Sequence, residues 1–171
     1  MDQKFQDFIM TVPAGEQSMV LELDTLFKQY GYECGIEEAK QGYVVSYFKK
    51  IGKKKVTIAN FVFRKAGVLI RIYAANIAKY ESLLNELPKK MKAGIARAGD
   101  CKRLHDPSTC NQRCQAGFTF HMDGVVYKKC RYMAFMPLLC EENDEFILRF
   151  VKAEILEASQ LENLPGGSDS V

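Results

Sequence analysis

Four cysteines, spaced Cys101-x8-Cys110-x3-Cys114-x15-Cys130, are the residues of this chain best suited to chemistry. Tetrahedral zinc takes thiolate donors at about 2.3 Å, commonly from two tight loops, and four of them close its coordination sphere. The spacing predicts a structural zinc on Cys101, Cys110, Cys114 and Cys130, with no position open for substrate. Pro107, Ser108, Asn111 and Gly117 mark irregular backbone, where a metal can stand in for packing. Lys102, Arg103, Arg113, Lys129 and Arg131 would favour thiolates and offset their charge. The same spacing admits reduced, partly buried thiols, an iron–sulfur cluster, or a redox pair made by Cys110 and Cys114. His105 is a substitute ligand, while His121 sits in a predicted strand and reads as structural. A zinc deaminase is excluded, because no H-x-E element exists and the cysteine pair has the wrong spacing. Cys34 and Cys140 read as buried thiols.

A second constellation is cationic. "KKIGKKK" places Lys49, Lys50, Lys53, Lys54 and Lys55 around Gly52, so a strand-to-strand turn there projects a positive tip. Arg64, Arg103 and Arg131 extend the set of candidate contacts to an anionic partner, nucleic acid among them. Tyr43, Tyr47, Phe61 and Tyr73 lie on nearby strands and could stack bases. The plainer alternative is that the lysines only solubilise the turn and guard the sheet edge. Charge is strongly segregated: residues 49–131 carry nineteen Lys/Arg against five Asp/Glu, a net of +14, between acidic flanks. Catalytic signatures are missing, with no Gly-rich phosphate loop, G-x-S-x-G or H-E-x-x-H. Binding is therefore favoured over catalysis, and an aromatic pocket lined by Tyr43, Tyr47, Phe63 or Tyr73 is the alternative site, for a small molecule.

The elements that must position these residues follow from periodicity. Residues 3–10 predict a short helix capped by Asp2. Met19, Val20, Leu23, Leu26, Phe27 and Tyr30 predict a longer one, from near Pro13 to Gly31. "YVVSYFKK", "VTIANFVF" and "VLIRIYA" predict an antiparallel meander, with residues 33–39 as an edge strand. In the middle strand Thr57, Ala59, Phe61 and Phe63 face one way, and Val56, Ile58, Asn60 and Val62 the other. Both sets are apolar enough to suggest helices on both sides. Two helical segments follow residue 77, Asp123-Gly124 signals a hairpin, and Phe146, Ile147, Phe150, Val151 and Ile155 form the inner stripe of a closing helix. The expectation is one α+β domain over 1–158, an antiparallel sheet of three to five strands packed on helices. It carries a cysteine-rich loop and hairpin insert over 100–131, and a flexible tail over 159–171.

Its 171 residues, 47% hydrophobic, suit a single domain with a sizeable core. No signal peptide is read at the start, and no apolar run approaches the roughly 18 residues of a membrane span. A cytoplasmic protein with reduced thiols is expected.

The run Cys101-Lys102-Arg103-Leu104, Asp106-Pro107, Cys110-Asn111, Cys114, Gly117-Phe118 and Tyr127-x-Lys129-Cys130-Arg131-Tyr132, followed by Phe135, resembles a signature in a group of uncharacterised bacterial proteins. The resemblance covers about residues 60 to 156. It implies that these four cysteines belong to the signature and that Cys34 and Cys140 do not. No activity is attached to that group, so no role carries over. The layout is also loosely similar to small bacterial α+β domains of the YdhG-like and MmcQ/YjbR-like kinds.

Overall fold

The computed structural model describes residues 3–40, 42–111, 114 and 116–162, the side chains of Met133, Leu161 and Glu162 excepted. Asp2, Arg113 and residues 163–171 of the expected tail lie outside the described residues. Helix α1 (Gln3–Thr11) and a 3₁₀ turn lead into α2 (Gln17–Gln29). Four strands follow as an antiparallel meander in the order β1-β2-β3-β4: β1 (Glu33–Ala39), β2 (Gly42–Ile51), β3 (Lys54–Arg64) and β4 (Gly67–Ile72). Then come α3 (Glu81–Glu86), α4 (Lys89–Arg97), the short α5 (Lys102–His105) and a hairpin of β5 (Gly117–Met122) and β6 (Val125–Cys130). The chain closes with α6 (Arg131–Ala134) and α7 (Glu141–Glu162). This is the α+β architecture the periodicity predicts, with β1 at the edge.

Strand alternation decides what is buried. Val45, Tyr47, Ala59, Phe61, Val68, Ile70 and Ile72 share one face and join a single core with Phe8, Leu23, Phe27, Phe150 and Val151 from the helices. Phe8 stacks on Phe61 at 5.9 Å and Phe27 on Tyr47 at 4.4 Å. Asn60 and Val62 are buried but outside that core, between Ser46 and Val44 on β2 and Arg71 and Leu69 on β4. The free edge of β4 is taken by residues 135–139, through Ile72 N–H to Phe135 O (2.9 Å) and Leu139 N–H to Val68 O (2.9 Å).

Two local irregularities matter later. The β2–β3 register shifts between Tyr47 and Phe48, leaving Ile58 as the extra residue of a bulge; on its other side its carbonyl accepts the Tyr73 N–H (2.8 Å), one step beyond the Ala59–Ile72 pair. At the hairpin tip both Asp123 and Gly124 adopt positive φ, 51° and 74°, which a two-residue turn of the favoured hand requires.

The hairpin contributes to the core: Phe120 and Met122 are fully buried and Phe120 packs on Phe135 at 5.8 Å. Its apolar inner face anchors it whether or not a metal does. Helix α7 also runs to Glu162, past the residue at which the tail was expected to begin. Among the described residues no helix is long and apolar enough to cross a membrane.

Candidate functional site

The cysteine segment is built by backbone pairing. Cys101 N–H donates to Lys128 O (2.8 Å), which lays the start of α5 along β6. Gly117 pairs with Cys130 across the hairpin. A Cβ on Gly117 would sit 2.5 Å from Cys101 Sγ, so the sulfur occupies the space that only glycine leaves. Cys114 Sγ accepts the Ala116 N–H at 3.4 Å, and the Arg103 guanidinium donates to Cys114 O. Cys101 is buried, and Cys110, Cys114 and Cys130 are half-buried. Cys110 terminates the 3₁₀ turn Pro107–Thr109, which Asp106 caps by accepting Ser108 N–H (3.0 Å). Among the described residues no three His, Cys, Asp or Glu side chains form a group able to hold a metal ion. His105 is exposed, with Nε2 3.9 Å from Asp100 Oδ2.

The eight candidate cations fall into three places. Lys49, Lys50, Lys53, Lys54 and Lys55 crowd the β2–β3 turn: Lys50 pairs with Glu33 (2.8 Å), Lys55 lies over the Phe48 ring (3.8 Å) and Lys49 over that of Tyr32 (4.9 Å). Arg64 lies ten residues along β3 from Lys54, roughly 30 Å away at strand rise. Arg103 is engaged with the cysteine loop. Arg131, directly after Cys130, is half-buried, with its guanidinium 5.5 Å from the Tyr132 ring and its Nε buried without a partner among the described residues.

Lys49 and Arg131 nevertheless meet. Both line a cleft of about 380 Å³, together with Tyr32, Ile51, Val56, Ile58, Tyr73, Asn76 and Glu154. Ile58, the extra residue of the bulge, lines it, and its carbonyl accepts the N–H of Tyr73 beside it. The opposite wall rests on Glu154, 2% exposed. Its carboxylate accepts from Ala75 N–H (2.7 Å), Asn76 N–H (3.3 Å), Asn76 Nδ2 (3.2 Å) and Tyr80 OH (2.9 Å), tying α7 to the loop after β4. Burial, reinforced by Glu154, pushes the Tyr80 hydroxyl far above its ordinary pKa, so it stays a donor. The cleft lining thus combines the cations Lys49 and Arg131 with one fully hydrogen-bonded carboxylate, Glu154.

Of the aromatics expected to stack or line a pocket, Tyr73 alone reaches this cleft. Tyr47 and Phe61 are fully buried, and Tyr47 donates to Asp24 Oδ1 (2.9 Å) within the core. Tyr43 and Phe63 pack on Phe8. Alternation from Phe61 puts all four on the helix-covered face.

A comparison with protein-family models, curated proteins and solved structures returned no match. The geometry alone therefore carries the functional reading.

Three buried polar residues have roles the sequence did not point to: Glu154 and Asn143 were not singled out, and Lys129 only as a cation near the cysteines. Lys129, 5% exposed, donates to Ala96 O (2.9 Å) and Ala98 O (2.6 Å) and pairs with Asp100 (2.7 Å). It shares the inner hairpin face with Phe120, two positions along the alternation, which is the signal that marks it. Glu154 and Asn143 both fall on the 3.6-residue stripe of α7 that buries Ile147, Phe150 and Val151. A polar residue inside an apolar stripe was the readable sign.

Proposed function

We propose that this protein is a binding module whose cleft between β3, the loop after β4 and α7 takes a small organic anion with an aromatic or otherwise flat apolar body. One observation carries the reading: Lys49 and Arg131, far apart in sequence, converge on one apolar cleft already furnished with Tyr73 and Tyr32. Its apolar walls supply burial, and two cations fix the orientation of an anionic end. A nucleic-acid partner is less well supported, because Tyr47 and Phe61, two of the four rings expected to stack bases, are closed in the core. The test is calorimetric titration with 2-naphthoate. It is expected to bind saturably, with its neutral methyl ester roughly 10-fold weaker, and Arg131→Gln is expected to remove that preference. Equal affinity for both probes would overturn the reading.

The cysteines support a second element of the proposal, a structural zinc on Cys101, Cys110, Cys114 and Cys130. The specific observations are the N–H to sulfur bond at Cys114 and the seating of Cys101 Sγ against Gly117, the partner of Cys130. Backbone pairing ties Cys101 to β6 through Lys128 O, two residues before Cys130, and the proposed site would draw Cys110 and Cys114 toward them. Such a site would also fix Arg131 at the cleft. Protein purified without added metal is expected to carry one zinc per chain. Chelation is expected to lower Tm by only about 3 °C, or ~1 kcal/mol, because the hairpin keeps its own core. Metal-free protein of unchanged Tm on zinc addition would remove the zinc from the account.

A further inference from the structure

The cleft that holds Lys49 and Arg131 has a bare apolar rim. Ile51 and Val56 both line it and are 53% and 45% exposed, against 6% for Ile58 in the same lining. Strand pairing sets them side by side: Val56 stands opposite Lys49 and Ile51 opposite Lys54, which makes Val56 and Ile51 diagonal neighbours on one face of the β2–β3 hairpin. The lysines around them are engaged elsewhere. Lys49 lies over the Tyr32 ring (4.9 Å), and Tyr32 leads into β1, on the far side of β2 from Val56. Lys50 and Lys55 take the opposite face by alternation, Lys50 paired with Glu33 (2.8 Å) and Lys55 over Phe48 (3.8 Å). Their aliphatic stems, which could have covered the strip, leave it open to water.

Arg131 belongs to the other end of the cleft. Its guanidinium is 5.5 Å from the Tyr132 ring, which packs edge-on against Tyr73 (5.3 Å), directly after β4. Strand β3 separates β4 from β2, so the path from Tyr73 to Ile51 crosses two strand spacings, about 10 Å. The cleft is thus elongated, with a guanidinium at one end and an exposed aliphatic strip at the other. Resting on the small-anion reading of this cleft, we propose that its ligand is an amphiphile. Its anionic head lies at Arg131, and its apolar part carries an unbranched alkyl arm that leaves the cleft along Val56 and Ile51. A single chain matches a strip one hairpin wide, and each methylene laid on it gains by leaving water. A free acyl anion and a lipid within a bilayer present this same chemistry, and the first is the source proposed.

The test is an NMR titration of the whole chain with hexanoate, decanoate and 2-naphthoate, each below its micelle concentration. Decanoate is expected to bind about 10-fold more tightly than hexanoate, and to shift Ile51 and Val56 where hexanoate leaves them unmoved. Neither residue belongs to the buried core, so Ile51→Ser probes the arm without endangering the fold. It is expected to reduce the preference for decanoate to about 3-fold. Equal affinity for hexanoate and decanoate, with 2-naphthoate bound as expected, would overturn the amphiphile and leave the small-anion reading intact. A decanoate preference unchanged in Ile51→Ser would overturn it as well, by placing the chain elsewhere. No response to 2-naphthoate would instead overturn the small-anion reading, and this inference with it. Vesicles of phosphatidylcholine with phosphatidylserine form the bilayer arm, on which no retention of the protein is expected. Retention of wild type but not of Ile51→Ser, with no gain from hexanoate to decanoate, would replace the free amphiphile with a lipid surface.

Discussion

Replacing Glu154 by leucine is expected to cost about 4 kcal/mol, seen in chemical denaturation and as a fall in Tm of about 12 °C. The carboxylate is 2% exposed and takes four hydrogen bonds, two of them from the backbone of Ala75 and Asn76. Leucine fits the volume and the apolar stripe of α7. What it removes is the acceptor, so two backbone N–H groups, the Asn76 amide and the Tyr80 hydroxyl lose a partner at once. Glu154→Gln keeps one acceptor oxygen but turns an amide donor toward existing donors, so about half the loss is expected. A Leu variant within ~1 kcal/mol of wild type would mean that the loop is held by packing alone.

Lys129→Met is expected to cost about 2–3 kcal/mol, the second largest effect. The ammonium is where the hairpin grips α4, taking two carbonyls of its last turn and the Asp100 carboxylate. Cations at a helix C-terminus are favoured by the unsatisfied carbonyls there. Methionine preserves the stem and its burial and deletes only the charge and the donors. The pH dependence is diagnostic. Lys129, mainly through its hydrogen bond and then its charge, holds the Asp100 carboxyl below the usual carboxylate range. A folded pKa below the unfolded one gives a contribution that is complete at neutral pH and disappears as pH falls through the folded value. The gap between wild type and Lys129→Met is therefore expected to narrow below about pH 4, while the part due to the two carbonyls persists. A gap independent of pH would assign the whole effect to the carbonyls.

The elements of this fold were legible because their patterns are local. Alternation in "YVVSYFKK" and "VTIANFVF", the Asp123-Gly124 turn and the apolar stripe of the last helix each declare themselves within a dozen residues. The cleft did not, because Tyr32, Lys49, Ile58, Tyr73, Arg131 and Glu154 come from six separate segments and meet only when α7 docks on the bulged end of the sheet. The bulge itself leaves no sequence mark: no glycine or proline stands at Ile58. The aromatic rings misled for a related reason. Composition shows that rings are present, but the face each takes follows from register, and one-residue alternation sends Tyr47 and Phe61 inward. Asn143, Lys129 and Glu154 were legible in principle, as polar residues at positions whose neighbours on the same face are buried. Such residues are tolerated in a core only when partnered, which is why each marks a junction or a site.

The measurement that bears most directly on the proposed function is an amide-resolved NMR titration of the whole chain, with 2-naphthoate in one series and a single-stranded oligonucleotide in another. The expected result is saturable shifts from 2-naphthoate at Tyr32, Lys49, Tyr73, Asn76 and Arg131, lost in Arg131→Gln. Weak, salt-sensitive shifts from the oligonucleotide are expected to be confined to the exposed turn at Gly52–Lys54. Saturable oligonucleotide binding with no response of the cleft to 2-naphthoate would contradict the small-anion reading and return the lysine turn to the centre of the protein's function.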